Sequence, residues 1–164
     1  MERHLSDIAD IYDIIPETGR RLYAEHDGRR PLFMHGVTVW RGADDEETLV
    51  AAHQVYEEAF AARPGHVSRD VEEWAVRLES AEGGDWSQLL LARVHGLPAA
   101  MLLGSNRFAA ENAGHVRVLA VRPRFRGRGL GGLLLSRAFA ADERRGRRGT
   151  YLHVAADAPV PAAA

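Results

Sequence analysis

A mixed α/β fold, with elements in the order β-α-α-β-β-β-α-β, is predicted by three observations. The apolar runs WSQLLLARV and LPAAMLLGSN flank His95–Gly96, a two-residue turn of the kind that joins antiparallel strands. The β-branched run HVRVLAV (115–121) and the later TYLHVAAD (150–157) are separated by a leucine-rich helical stretch, an order that makes the two strands parallel neighbours. Upstream of both lie two stretches whose apolar residues recur with helical period.

The regular region opens with GVTVWRG, whose alternation predicts a strand over 37–41. In ADDEETLVAAHQVYEEAF acids crowd the first turn, as the helix dipole favours, and Leu49, Ala52, Tyr56 and Phe60 face the core. A second helix is expected from near Ser68, with Val71, Trp74, Ala75 and Leu78 as its buried stripe and Gly83–Gly84 as its stop. The last helix, about 130–145, carries Leu130, Leu133, Leu134, Ala138 and Ala141 inward. Gly146 and Gly149 close it, and Arg144, Arg145, Arg147 and Arg148 gather at its negative end. Before all of this, Leu5, Ile8, Tyr12 and Ile15 form one helical stripe ended by Pro16. Residues 16–35 read as a linker in which Gly19, Gly28 and Pro31 interrupt a helical turn around Leu22 and Tyr23. The expected organisation is therefore an N-terminal arm over 1–35, one folded domain over 36–158 and an Ala/Pro tail over 159–164.

A length of 164 residues suits one compact core, and 46% hydrophobic with 27% charged residues is an ordinary globular balance. No apolar stretch reaches bilayer length and MERHLSDIAD has no signal pattern, so the expected location is cytoplasmic and no membrane partner is expected. With no cysteine, disulfides, thiolate zinc sites and a cysteine-based covalent intermediate are excluded. The eight histidines show no H-E-x-x-H or comparable spacing, so no metal site is expected. All 21 basic residues are arginine, which GC-rich coding explains most simply. Their placement is uneven. Residues 1–112 hold 11 arginines against 20 acids, a charge of −9, and residues 113–164 hold 10 against 3, a charge of +7. The basic part contains the glycine cluster, which points to an anionic ligand there.

That cluster is RPRFRGRGLGGLLLSRAF, Arg122 to Phe139, between a strand end and a helix start. Glycines there let successive N–H groups turn toward one point, and the helix N-terminus adds partial positive charge, which together make a phosphate or pyrophosphate cradle. Arg124, Arg126 and Arg128 add charge. A nucleoside triphosphate loop has the spacing of Gly127 and Gly132 but needs Lys and Ser or Thr next, where Leu133 and Leu134 stand. A dinucleotide fingerprint matches Gly127, Gly129 and Gly132, with Asp157 at the end of the following strand, but Arg122 to Arg126 intervene where that fingerprint turns almost at once. A nucleic-acid binder using the basic half is a further alternative, although the loop does not offer the aromatic stacking platform that single strands need.

The stretch LAVRPRFRGRGLGGLLLSRAFAADERRGRRGTYLHV closely resembles the signature of the GNAT acyltransferases, the general-control-related N-acetyltransferases. Arg126, Gly129 and Gly131 fill the Arg/Gln-x-x-Gly-x-Gly/Ala slots. The resemblance covers roughly residues 36–158, and in detail looks like one half of the tandem GNAT proteins, the group that includes mycothiol synthase. It implies the GNAT fold and acetyl-CoA as acyl donor. The pantetheine arm is then expected along Leu119, Ala120 and Val121, and the pyrophosphate on the N–H groups of Arg126, Gly127, Arg128, Gly129, Leu130 and Gly131. It further implies direct attack by a small-molecule or peptide amine, with no nucleic acid involved. A degenerate CoA-binding module without transferase activity is the alternative.

His115, expected to share a face with Arg117 and Leu119, is the candidate general base, with Glu111 nearby. Glu57, Glu58, Glu72 and Glu73 lie on or near helices that in the family border the acceptor cleft. After AADAP the family continues into a helix carrying a tyrosine acid and two more strands, whereas this chain reads VPAAA. The TYLHV strand is therefore expected to be an open sheet edge, and a homodimer through that edge or through the N-terminal arm is expected to cover it.

Overall fold

The structure, a computed structural model, describes residues 20–28 and 30–154. The helix expected over 5–15, Asp157 and the Ala/Pro tail lie outside the described residues. Six strands, β1 (Arg20–Glu25), β2 (Val37–Arg41), β3 (Gly84–Val94), β4 (Leu97–Ser105), β5 (Ala113–Val121) and β6 (Gly149–Val154), form one mixed sheet in the order β1-β6-β5-β4-β3-β2. Helices α1 (Glu46–Phe60) and α2 (Val71–Ser80) cover one face, and α3 (Leu130–Arg144) covers the other.

Each helix starts where local chemistry supplies a cap. The Asp45 carboxylate accepts the Thr48 N–H at 2.7 Å, and that hydrogen bond holds its pKa below the ordinary value. The Asp70 carboxylate accepts the Glu73 N–H at 2.8 Å, which starts α2 at Val71, three residues later than the expected Ser68. The α1 stripe buries Ala52 and Phe60 with Leu49 and Tyr56 packed at its margin, and Trp74 is the fully buried residue of α2. Leu89, Leu91, Met101, Val118 and Ala120 face this layer from the sheet. On the opposite face Leu130, Leu133, Leu134 and Ala138 of α3 meet Leu90, Leu102, Val116, Leu119 and Leu152. The central strands thus bury both faces, which explains their near-continuous apolar runs.

Residues 20–25 depart from the expected linker. They form β1, antiparallel to β6 from Arg20↔Val154 to Glu25↔Gly149. The helical turn expected around Leu22 and Tyr23 is instead extended, and β6 is an interior strand with β5 on one side and β1 on the other. The edge on which a second copy was expected to pair is therefore covered by the chain's own β1, which becomes the edge strand on this side of the sheet.

A polar knot fastens this side of the sheet. The buried Thr150 hydroxyl donates to Asp142 Oδ2 at 2.8 Å and meets His26 Nε2 at 2.8 Å, while His26 Nδ1 donates to the Arg147 carbonyl at 2.8 Å. Arg145 pairs with Asp142 Oδ1 at 2.6 Å and closes the last turn of α3. One network therefore joins the segment after β1, the end of α3 and the start of β6.

Candidate functional site

The centre of interest is the far end of β5. Its antiparallel ladder with β4 runs to Ala100↔Val121, whereas its parallel ladder with β6 stops at Val116↔Leu152. Beyond that point Leu119 and Ala120 have ladder partners on β4, Leu102 and Met101, and none on the β6 side among the described residues. A strand opened along one side is a template for another extended, amide-bearing chain.

The β4–β5 ladder also shifts register between Leu103↔Val118 and Gly104↔Val116, leaving Arg117 as the extra residue. The extra residue reverses the alternation: Val116 and Leu119 both face α3, whereas Val118 and Ala120 face α1 and α2. His115 and Leu119 consequently lie on opposite faces, contrary to the face-sharing expected from even alternation. Arg117 is buried, and its guanidinium donates to the Glu82 carbonyl.

From β5 the chain passes through a single 3-10 turn, Pro123–Phe125, into the glycine loop. Gly127 and Gly129 adopt left-handed φ values of 74° and 84°, which side chains resist, and Gly129 caps α3. The first helical hydrogen bond runs from the Leu133 N–H to the Gly129 carbonyl at 3.0 Å. Helix geometry therefore leaves the N–H groups of Leu130, Gly131 and Gly132 directed out of the helix start, where the dipole is positive. A Cβ placed on Gly127 would meet nothing within 4 Å, whereas one on Gly129, at the helix start, would lie 3.3 Å from the Met34 side-chain terminus. These features fit a diphosphate.

Arg126 differs from its expected part. Its N–H donates to the Pro123 carbonyl at 3.2 Å, and its guanidinium reaches the Val121 and Ala59 carbonyls at 3.1 and 3.0 Å. Arg124 and Arg128 lie over the Phe125 ring at 5.0 and 5.3 Å from its centroid. That ring is only 6% exposed, so it anchors the loop and offers no face for a base to stack on.

His115 is 2% exposed, with Nδ1 at 2.6 Å from the Ser105 hydroxyl and its ring edge-on to Phe108. It pairs with Tyr151 one position before the β5–β6 ladder ends. Glu111 is exposed in the 3-10 turn Ala109–Glu111. The acids of α1 are engaged elsewhere. Glu57 lies 3.1 Å from His66 Nε2, 3.4 Å from His53 Nε2 and 3.3 Å from the Arg69 N–H. Burial would push the Glu57 carboxyl up, but hydrogen bonds from His66, the Arg69 N–H and Ser68 together hold it below its usual value. Glu58 pairs with Arg122 at 2.7 Å. Glu72 and Glu73 are exposed in the first turn of α2, where they suit the helix dipole. Among the described residues no three histidines or acids are grouped to hold a metal ion, and no helix is long and apolar enough to cross a membrane.

A mixed sheet whose central strands part beside a glycine-lined helix start is the fold of the GNAT N-acetyltransferases, and solved structures of that class match it. A GCN5-related N-acetyltransferase from Sphaerobacter thermophilus aligns at TM-score 0.66 and 24% identity, over 92% of this chain and 45% of that one. One from Kribbella flavida aligns at 0.54 and 24%, over 86% and 49%. A GNAT family acetyltransferase from Brucella melitensis, in complex with acetyl-CoA, aligns at 0.56 and 21%, over 71% and 75%. This chain spans about half the length of the first two. The model of the acetyltransferase (GNAT) family matches residues 49–164, and the chain belongs to that family. No curated protein matches it.

Proposed function

We propose that this domain transfers an acetyl group from acetyl-CoA to a primary amine by direct attack of the amine. One observation carries the reading: among the described residues β5 has no partner on the β6 side along Leu119 and Ala120, at the same end where a glycine-lined helix start directs N–H groups outward. The main chain of Leu119, Ala120 and Val121 suits an amide-rich pantetheine arm. The N–H groups of Gly127, Arg128, Gly129, Leu130 and Gly131 suit a pyrophosphate, with Arg124 and Arg128 adding charge. Acetyl-CoA supplies the acyl group as a thioester, whose C–S bond breaks as the N–C bond forms and the CoA sulfur leaves. Family membership and the acetyl-CoA complex of the Brucella relative support the choice of donor.

In this reading His115, one position before β5 and β6 part, takes the proton released by the amine. The Ser105 hydroxyl at 2.6 Å fixes its ring. Replacing His115 with glutamine should lower turnover about 10²–10⁴-fold, the usual effect of losing a general base, with little change in acetyl-CoA affinity. Unchanged turnover removes His115 from that role and turns attention to Glu111.

Calorimetry with acetyl-CoA, followed by a panel of primary amines, tests the whole proposal. Gly127→Asn is the informative variant, because asparagine tolerates left-handed backbone yet puts a side chain into the open space. Its acetyl-CoA affinity should fall about tenfold or more, a change of at least about 1.4 kcal/mol. Equal affinity of variant and wild type refutes the cradle. Binding without transfer to any amine favours a CoA-binding module.

A further inference from the structure

We propose that Glu58, an acid beside a site for a polyanion, is a positioning residue that braces the glycine loop through Arg122. The role deepens the acetyl-CoA reading and rests on it for its ligand. Helix α1 ends in Glu57 and Glu58 with no basic residue in its last turn, so its terminal carbonyls and negative dipole end take cations from another part of the chain. Two loop arginines supply them. Arg122, the first residue after β5, forms an ion pair with Glu58, in which Nη2 donates to Oε1 at 3.2 Å and Nε lies 2.7 Å from Oε2 without hydrogen-bond geometry, while Nη1 donates to the Pro98 carbonyl of β4 at 2.8 Å. Arg126 donates to the Ala59 carbonyl of α1 and the Val121 carbonyl of β5. These two arginines bracket the turn Pro123–Phe125, and the residue after the second is Gly127, where the left-handed turn of the cradle begins.

The brace explains how four closely spaced like charges are arranged. Arg122 and Arg126 turn toward α1, and Arg124 and Arg128 lie over Phe125, with Arg122 also within 5.9 Å of that ring's centroid. Glu58 is half-exposed at 45%, but Arg122 is buried, and its guanidinium spans the Glu58 carboxylate of α1 and the Pro98 carbonyl of β4 with different nitrogens. Removing the acid takes the charged partner from Arg122 and leaves the α1 side of the loop held through Arg126 and the Ala59 carbonyl.

Charge and position make opposite forecasts, which makes the test sharp. Were Glu58 only a nearby negative charge, Glu58→Gln would tighten binding of an anion, most visibly at low salt. As a brace it should weaken acetyl-CoA binding about fivefold at both low and high salt, and Arg122→Lys, which keeps the charge but not the two planar nitrogens that span Glu58 and the Pro98 carbonyl, should weaken it as well. Arg122→Gln combined with Glu58→Gln should be no worse than Arg122→Gln alone, as expected of two residues acting as one unit.

A ligand-free readout accompanies calorimetry: trypsin cleavage after Arg124, Arg126 and Arg128, followed by mass spectrometry. Glu58→Gln should be cut faster in this loop than wild type, with the thermal unfolding midpoint little changed. Cleavage at the wild-type rate, or acetyl-CoA affinity equal to or above wild type, overturns the proposal. If wild-type protein binds no acetyl-CoA, the cofactor reading fails and the cleavage rates alone decide the brace.

Discussion

Replacing Thr150 with valine swaps one hydroxyl for a methyl of nearly the same shape, at a position with no solvent exposure. The lost oxygen serves two partners, Asp142 Oδ2 and His26 Nε2, each at 2.8 Å. Leaving a buried polar group without its partner costs about 1–3 kcal/mol, and a charged one more. Asp142 keeps Arg145 at 2.6 Å and His26 keeps the Arg147 carbonyl at 2.8 Å, so neither is stranded completely. The expected destabilisation is therefore about 2–4 kcal/mol, which for a chain of this size lowers the unfolding midpoint by roughly 5–15 °C. Urea unfolding followed by far-ultraviolet circular dichroism gives the free energy, and calorimetric scanning gives the midpoint. Thr150→Ser is the control, since it keeps the hydroxyl and loses one methyl, at a cost of about 1 kcal/mol. A valine variant within about 0.5 kcal/mol of wild type, or a serine variant as unstable as the valine one, refutes the view that this hydroxyl ties the sheet together.

Two further outcomes follow from the same geometry. In Gly149→Ala the new Cβ would lie 2.6 Å from the Ala24 carbonyl and against the Tyr23 ring, so β1 must separate from β6. Amide exchange over residues 20–25 should accelerate by about tenfold or more, and unchanged exchange contradicts the pairing. The depressed Glu57 carboxyl contributes stability that is present above its unfolded value, near 4.5, and is lost as the pH falls through the lower folded value. The stability gap between wild type and Glu57→Gln should therefore be open at pH 6 and close on acidification below pH 4.5. A gap independent of pH removes ionisation of Glu57 as its cause.

Strong local signals made most of the fold readable. The stripes of α1 and α2, the acids in the first turn of α1 and the His95–Gly96 turn each act within a few residues, and the structure bears them out. The strand–glycine loop–helix–strand order was readable for the same reason, because a cradle is specified by consecutive backbone positions. Strand β1 was not. RRLYAE has only Leu22 and Ala24 at strand spacing, and what makes it a strand is β6, whose residues no local window contains. The register shift at Arg117 was equally hidden, because HVRVLAV alternates evenly and an extra residue shows only against its partner strand. In the loop, composition counted the arginines but not their directions. Arg122 and Arg126 turn toward an α1 terminus more than 60 positions earlier in the chain.

The pairing of β1 with β6 also bears on the order of assembly. His26 and Thr150 are 124 positions apart, whereas the β3–β4 hairpin closes over two residues. Closing so long a loop must precede any reward from the contacts it makes, and such long-range pairings form slowly. During synthesis β1 leaves the ribosome well before its partner exists, so β5 and the glycine loop can take shape while the far margin of the sheet is still bare. The last event in maturation is then the return of an early segment to a nearly finished sheet, and chaperone protection should matter most in that interval.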